Sequence, residues 1–347
     1  IFAKLHLQRL RQYLFPLYLI ALSSLVAVKI FGVSALGSQR WLNVAGFNIQ
    51  PSEIAKIILI VVLASVLENY KFNAPIDLLR PFSVILLPWF LVFIQPDLGT
   101  SLVFGAVLLA MLFWAGMPLE WLLLFLSGIM TAILVGVFHW GLYLWIPLMG
   151  VLAYRSLPKK YLSLFITITT LIGVAFSTPW LWNHFLKDYQ RERLILFLDP
   201  AKDPLGGGYH LIQSTIGIGS GGVWGTGLLQ GQLTKLRFIP EQHTDFIFSA
   251  LGEEIGLVGT MFVTCAFFLL IYRLLIIARN AHTKFESLVV IGIASMIMFQ
   301  VVVNIFMTIG LGPITGIPLP FMSYGRTAML VNFISLGFCI SVSRRTN

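Results

Sequence analysis

The sequence predicts an all-α, polytopic integral membrane protein, and three observations carry that prediction. Of its 347 residues, 58% are hydrophobic and only 11% are charged, a composition outside the range of water-soluble globules. The mean hydropathy is +0.89. The apolar residues come in runs long enough to cross a bilayer, with charges gathered largely between the runs. The net charge of +9 then speaks to topology rather than to nucleic acid, because cations flanking spans set orientation. Cys265 and Cys339 both lie inside apolar runs, which leaves neither a disulfide framework nor a Cys-rich metal site.

Ten spans follow from the apolar runs, at about 14–32, 53–69, 81–95, 98–116, 119–137, 139–154, 160–179, 244–276, 286–311 and 322–343. Pro88 and Pro147 sit in the two shortest, each of which is expected to kink, tilt or re-enter. With the N-terminus inside, Lys4, Arg9, Arg11, Lys71, Arg80, Arg155, Lys159, Lys160, Arg273, Arg279, Lys284, Arg344 and Arg345 all face the cytoplasm. An even span count then puts both termini inside. Trp89, Trp114, Trp121, Trp140, Trp145 and Trp180 fall near helix ends, where indoles serve as interfacial anchors. The whole chain, 1–347, reads as one membrane domain containing one long extracytoplasmic loop, 180–245.

That loop is too long for a connector. It carries six cations and six carboxylates and ten of the 30 glycines, while Tyr209, Ile212, Ile216, Ile218 and Trp224 argue that it is ordered. A Gly-rich backbone bordered by cations can offer amide donors to a pyrophosphate. It can equally let a loop pack tightly on a membrane surface. Gly217, Gly219 and Gly222 match a dinucleotide fingerprint, but no βαβ unit surrounds them.

Ionisable groups inside the apolar runs are costly and are therefore candidates for function. Glu53 and Lys56, three apart at the start of a span, suit an ion pair behind the cap Gln50-Pro51-Ser52. Asp97, where Pro96 and Gly99 interrupt the helix, suits either helix capping or substrate contact. Asp245 opens a span beside a face of small residues, Ser249, Gly252 and Gly256. A carboxylate at such a crevice suits a general base, and its position at a helix N-terminus also suits a dipole partner. Glu253 and Glu254 lie roughly 12 Å deeper along the helix, and at least one needs a buried partner. His210 and His243 near Asp245 lack the i, i+4 pairing of a histidine metal motif, so no metal site is expected. Between the last two spans, Pro313, Pro318 and Pro320 with Gly312, Gly316 and Gly325 break the backbone, which must line a cavity or be covered by protein.

Six strings, in order, complete the pattern: GSQRWLN (Gly37 to Asn43), QPSEIAK (Gln50 to Lys56), QPDLGTS (Gln95 to Ser101), YQRERLILFLDPAKDPLGGGYHLIQSTIGIGSGG (Tyr189 to Gly222), FIPEQHTDFIFSALGEEIG (Phe238 to Gly256) and PLPFMSYG (Pro318 to Gly325). Together they resemble the SEDS family (shape, elongation, division, sporulation) over nearly the whole chain. The His210-containing GYHLIQS and the LDP before DPLG resemble its cell-elongation branch, while the division branch shares many of the other strings.

The resemblance implies a peptidoglycan glycosyltransferase that polymerises lipid II at the outer face of the bacterial cytoplasmic membrane during elongation, releasing undecaprenyl pyrophosphate. A class B penicillin-binding transpeptidase is the implied protein partner, membrane lipids surround the spans, and no nucleic acid is involved. The family's essential carboxylate falls on Asp245, as general base. Arg40, Arg191, Arg193, Lys235 and Arg237 are the cations available to pyrophosphates, with Asp97, Gln213, Ser323 and Arg326 as further substrate-binding candidates. Glu53, Lys56, His243, Glu253 and Glu254 are supporting candidates. No resident cofactor is implied, and assistance by a divalent cation stays open. A lipid II flippase, a division polymerase of the same family and a catalytically silent scaffold are the alternatives.

Three departures from the family pattern stand out. Two further spans are expected ahead of residue 14, and a paired insertion around 139–160 restores the count to ten. Where the family reads SYGG, this chain has Gly325-Arg326, so a cation sits at the outer mouth, either to bind phosphate or as a mark of altered activity. If Arg326 binds a substrate phosphate, Arg326→Gly slows glycan synthesis from labelled lipid II by roughly tenfold or more, the worth of one charge-assisted contact. An unchanged rate removes Arg326 from substrate binding.

Overall fold

The computed structural model describes the chain outside residues 1–6, 36–37, 45, 96, 158, 185–187, 205, 237, 240 and 347. A short 3-10 segment, Leu7–Tyr13, leads into helix α1 (Leu14–Phe31). An antiparallel meander follows, β1 (Val33–Ala35), β2 (Ser38–Val44) and β3 (Phe47–Ile49), paired in that order. Then come α2 (Pro51–Leu67), α3 (Leu79–Ile94), α4 (Leu98–Trp114), α5 (Leu119–Val137), α6 (Leu142–Ser156) and α7 (Lys160–His184). The long loop holds α8 (Asp188–Leu198), α9 (Tyr209–Gly221) and α10 (Gln232–Lys235), and α11 (Ile247–Asn280), α12 (Lys284–Thr308) and α13 (Arg326–Thr346) close the chain.

Each of the ten sequence-predicted spans coincides with one helix, α1 to α7 and α11 to α13. Among the described residues, seven helices are long and apolar enough to cross a membrane, and Leu98–Trp114 is a shorter apolar one. This is a multi-pass helical membrane protein. Pro88 and Pro147 both lie within continuous helices. The small sheet departs from the all-helical expectation: between α1 and α2, the Asn43 to Asn48 pairing closes a hairpin.

Contacts divide the chain into two compact units, one of Ile1–Asn69, Pro81–Met111 and Arg193–Asn347, the other of Tyr70–Arg80 and Leu112–Glu192. In the first, α12 is the most deeply buried span and packs on α2, α9, α11 and α13. Its Gly292 permits this: a Cβ there would meet the Ile60 side chain at 2.5 Å and Met111 Sδ at 2.9 Å. Thr283 caps α12 by accepting from Glu286 N at 3.2 Å, and Pro51 opens α2 where no intrahelical amide donor is needed. Ion pairs between Arg11 and Glu68 and between Arg345 and Glu286 tie helix ends together.

In the second unit, α5, α6 and α7 pack on one another. Trp145 Nε1 donates to Thr131 Oγ1 at 3.2 Å, and Trp121, 6% exposed, reaches the Ser156 carbonyl. These two indoles hold helices together, which corrects their assignment as interfacial anchors. Trp140 and Trp180 are exposed as anchors should be.

The Gly-rich part of the long loop is held by a defect in a neighbouring helix. Gly256 adopts φ 69°, ψ −163° and interrupts α11, a backbone that a residue with a Cβ rarely adopts. The groups this frees are taken up by the Gly-rich segment. Thr226 N and Gly227 N donate to the carbonyls of Glu253 and Glu254, while Leu257 N and Val258 N donate to those of Gly222 and Val223. Buried Glu253 completes the seam, accepting from Leu233 N at 2.8 Å and Thr234 N at 2.9 Å at the start of α10.

The small residues of α11 therefore pack against α9 and do not line an open crevice. Ser249 and Ser214 hydroxyls meet at 2.5 Å, and a Cβ on Gly252 would strike Ile218. Similarly, a Cβ on Gly221 would run into the Gly252 carbonyl, whereas one on Gly219 meets nothing within 4 Å. Gly221→Ala should cost about 1–3 kcal/mol through overpacking and lower the Tm of the detergent-purified protein. Gly219→Ala, as the control, should leave it near wild type.

Candidate functional site

Asp245 lies in the turn before α11, not in its first helical turn, and three consecutive carbonyls fix that turn. Tyr324 N donates to the His243 carbonyl at 2.8 Å, Ser323 Oγ to that of Thr244 at 2.6 Å, and Asn304 Nδ2 to that of Asp245 at 2.8 Å. The same Asn304 Nδ2 donates to Ile317 O at 2.8 Å. Two carbonyl acceptors fix which end of the amide is nitrogen. Fully buried on α12, Asn304 thus joins the Asp245 turn to the broken 312–325 segment. Ser323 Oγ also accepts from Leu319 N at 2.7 Å, so its hydroxyl positions the turn. At Gly316, φ +72°, a Cβ would approach Asp245 Oδ2 to 3.4 Å.

The side chain of Asp245 is partly buried, and its charge state follows from that. Burial pushes its carboxyl up to about 6, and the Glu241 carboxylate adds to the rise. The Arg193 and Arg40 guanidiniums oppose it, and Asp97 contributes a further small rise. His210 shares this field: its ring stacks on Phe246 with centroids 6.0 Å apart. Burial holds its imidazole below the ordinary value, Glu241 acting against that and Arg193 with it.

Asp97 joins the starts of α2 and α4 to β2. Its Oδ2 accepts from Thr100 Oγ1 at 2.9 Å, Ser52 Oγ at 3.1 Å and Gln50 Nε2 at 3.2 Å, and its Oδ1 accepts from Thr100 N at 3.2 Å, capping α4. Arg40 Nη1 of β2 lies 3.9 Å from Oδ1, and Gln50 N donates to Thr327 Oγ1 of α13 at 3.2 Å. Helix capping and the link to Arg40 thus coexist at one carboxylate.

The other sequence-predicted residues divide by position. Arg40, Asp97 and Arg193 act on Asp245, and Ser323 and His243 belong to the segments that hold it. Glu53 and Lys56 form a buried ion pair at 2.8 Å within α2. Glu253 caps α10, and the Glu254 carbonyl joins the seam at the α11 break. Arg191 pairs with Asp188 on α8. Gln213 is half-buried on α9, Lys235 is exposed at the end of α10, and Arg326 is exposed over the Phe47 ring, 5.9 Å from its centroid. Arg237 lies outside the described residues, as do Lys4 and Pro96.

Three residues beside Asp245 are missed by the sequence reading, Glu241, Gln242 and Asn304, while His210 is weighed there only as a metal ligand. Asn304 sits in an otherwise apolar run, and a lone amide at that depth is the signal that could have found it. Among the described residues, buried His210 Nδ1, Gln242 Oε1 and Asn304 Oδ1 have no hydrogen-bond partner. Buried polar atoms without partners are rare. Also among the described residues, no group of three His, Cys, Asp or Glu side chains could hold a metal ion.

Fold and site together define a multi-pass helical membrane protein with a carboxylate centre at the end of a long loop. The family model of the FtsW/RodA/SpoVE cell cycle proteins matches residues 1–145 and 141–347. The peptidoglycan glycosyltransferase MrdB of Escherichia coli (strain K12) is 39% identical over 331 residues, covering 94% of this chain and 76% of MrdB. The peptidoglycan glycosyltransferase RodA of Treponema pallidum (strain Nichols) is 35% identical, covering 92% and 80%. A solved structure, of a peptidoglycan synthase complex that coordinates polymerization and crosslinking, superposes with TM-score 0.71 at 30% identity, over 99% of this chain and 84% of the other. The chain belongs to the FtsW/RodA/SpoVE family, the SEDS family of the sequence resemblance.

The raised Asp245 carboxyl has a consequence for stability. A carboxyl that holds its proton more tightly when folded stabilises the fold below its ordinary value of 3.8 and loses that contribution as pH rises through about 6. Asp245→Asn should therefore raise Tm relative to wild type at pH 7 to 8 and lose that advantage near pH 4. Paired thermal unfolding scans across that range check the sign.

Proposed function

We propose that this chain is a peptidoglycan glycosyltransferase that polymerises lipid II at the outer face of the bacterial cytoplasmic membrane, with Asp245 as general base. The observation that carries the reading is the Asp245 carboxylate itself, in a turn clamped through its backbone, only partly buried and acted on by two guanidiniums. Its relatives' names support the reaction class.

The acceptor's GlcNAc 4-hydroxyl gives its proton to Asp245 as its oxygen attacks the anomeric carbon of the donor MurNAc. The bond from that carbon to pyrophosphate breaks with inversion, leaving a β-1,4 link and undecaprenyl pyrophosphate. Arg40 and Arg193 would meet the negative charge of the pyrophosphates, where a guanidinium suits bidentate contact. Arg191, Lys235, Arg237 and Arg326 are further substrate-binding candidates, with Asp97, Gln213 and Ser323. Buried atoms of His210, Gln242 and Asn304 are available to sugar hydroxyls. Both termini lie in the cytoplasm in this arrangement, and a transpeptidase, of the class B penicillin-binding type, crosslinks the product.

The test is glycan formation from labelled lipid II in detergent by the purified protein with its transpeptidase partner. Asp245→Asn should lose about 10²- to 10⁴-fold in rate, the usual worth of a positioned base. For wild type, kcat/KM should rise with pH through an apparent pKa near 6. Polymerisation by Asp245→Asn at the wild-type rate would sink the mechanism. Lipid II translocation in sealed vesicles, with no polymer from either protein, would favour a flippase.

A further inference from the structure

The exposed face of α11 marks where the bilayer begins. From Leu257 to Tyr272 its exposed large side chains are apolar or aromatic, Met261, Phe262, Phe268 and Leu269 among them, and exposed Arg273 marks the far end. At 1.5 Å per residue this run is about 22 Å long, most of the roughly 30 Å of a bilayer's hydrocarbon core. On the other side of Gly256, the helix carries Glu253 and Glu254. The break in α11 therefore falls at the edge of the hydrocarbon, on the side of Asp245.

The Gly-rich segment is bonded to that level. Leu257 N donates to Gly222 O at 2.9 Å and Val258 N to Val223 O at 3.2 Å, so residues 222–223 lie beside the first residues of the apolar zone. The side chains that follow are large, apolar and exposed: Val223 53%, Trp224 81%, Leu228 71% and Leu229 82%. Leu229 does this at φ +60°, a conformation that side chains with a Cβ avoid. No Asp, Glu, Lys or Arg occurs between Asp203 and Lys235, in a loop otherwise rich in both signs. Such a patch in water is a liability, whereas at a bilayer edge indole and leucine side chains are at home.

We propose that residues 223–229 form a lipid-immersed ledge, with Trp224, Leu228 and Leu229 set into the acyl-chain boundary of the leaflet nearest Asp245. The ledge is continuous with the lipid-facing surface of α11, and its occupant is the bilayer. It fixes the height of α9 and α10 against the membrane surface. The inference stands on burial and hydrogen bonding, independently of the glycosyl-transfer reading.

Nitroxide labels test it in the full chain, reconstituted in phospholipid nanodiscs without a partner protein. In a Cys265→Ser background, labels replace Trp224, Leu229, Phe262 as the lipid reference, and Lys202 as the aqueous one. At Trp224 and Leu229 the ratio of collisions with oxygen to those with a water-soluble nickel chelate should be several-fold above that at Lys202 and approach that at Phe262. Values matching Lys202 overturn the proposal, including the case in which the patch awaits a protein partner. A second measurement needs no cysteine: the emission lost on Trp224→Phe should be quenched by lipids brominated on their acyl chains. If bromolipids leave that component unquenched, the ledge is not in the bilayer.

Discussion

The interruption of α11 at Gly256 is the constraint from which much of the rest follows. Free backbone donors and acceptors at the margin of a bilayer must be satisfied by protein, and here the Gly222 to Gly227 segment supplies the partners. That requirement draws α9 against α11 closely enough for Gly221 to face the Gly252 carbonyl and for Ser214 to meet Ser249. Ser214 also donates to the Thr308 carbonyl at 2.6 Å, so α9, α11 and α12 share one polar contact. With α9 placed, His210 at its start lies on Phe246, beside Asp245.

A second set of constraints comes from buried charge. The cost of dehydrating a carboxylate is offset only by dense hydrogen bonding or by pairing, and each buried acid here meets that condition differently. Glu253 takes two amide donors, Glu53 takes Lys56, and Glu286 takes Arg345. Asp97 is served by two hydroxyls, two nitrogen donors and a nearby guanidinium. Asp245 differs from all of them: its backbone carbonyl is held, while its carboxyl is raised by burial and by Glu241. Interactions that rigidify the turn leave the side chain free for chemistry, the division of labour expected where a reactive group must be both placed and perturbed.

How much of this was legible in the sequence varied with the range of the interaction. The ten apolar segments emerged as ten helices because span length and apolarity are local properties. The Glu53–Lys56 pair was readable for the same reason, since i, i+3 spacing on a helix brings two residues together. The Asp245 motif stood out by its charge at the head of a span. By contrast, Asn304 lies 59 residues from Asp245, and no periodicity joins a residue of α12 to a turn before α11. Trp121 and Trp145 were read as interfacial by their place near helix ends, yet bond to neighbouring helices. The glycines of 217–227 signalled close approach without saying to what.

The sequence by itself determined that this protein crosses a membrane many times and that one long loop carries charges of both signs. It also determined the family, because long strings of residues match in order. Tertiary structure alone decided which of those charges share a field with Asp245. Arg40 comes from a small sheet, Arg193 from α8 and Asp97 from the start of α4, and chain folding brings their charges to bear on one carboxyl. The physical reason is that helix formation follows from neighbours along the chain, whereas a site depends on where unsatisfied backbone and buried charge find partners far along it.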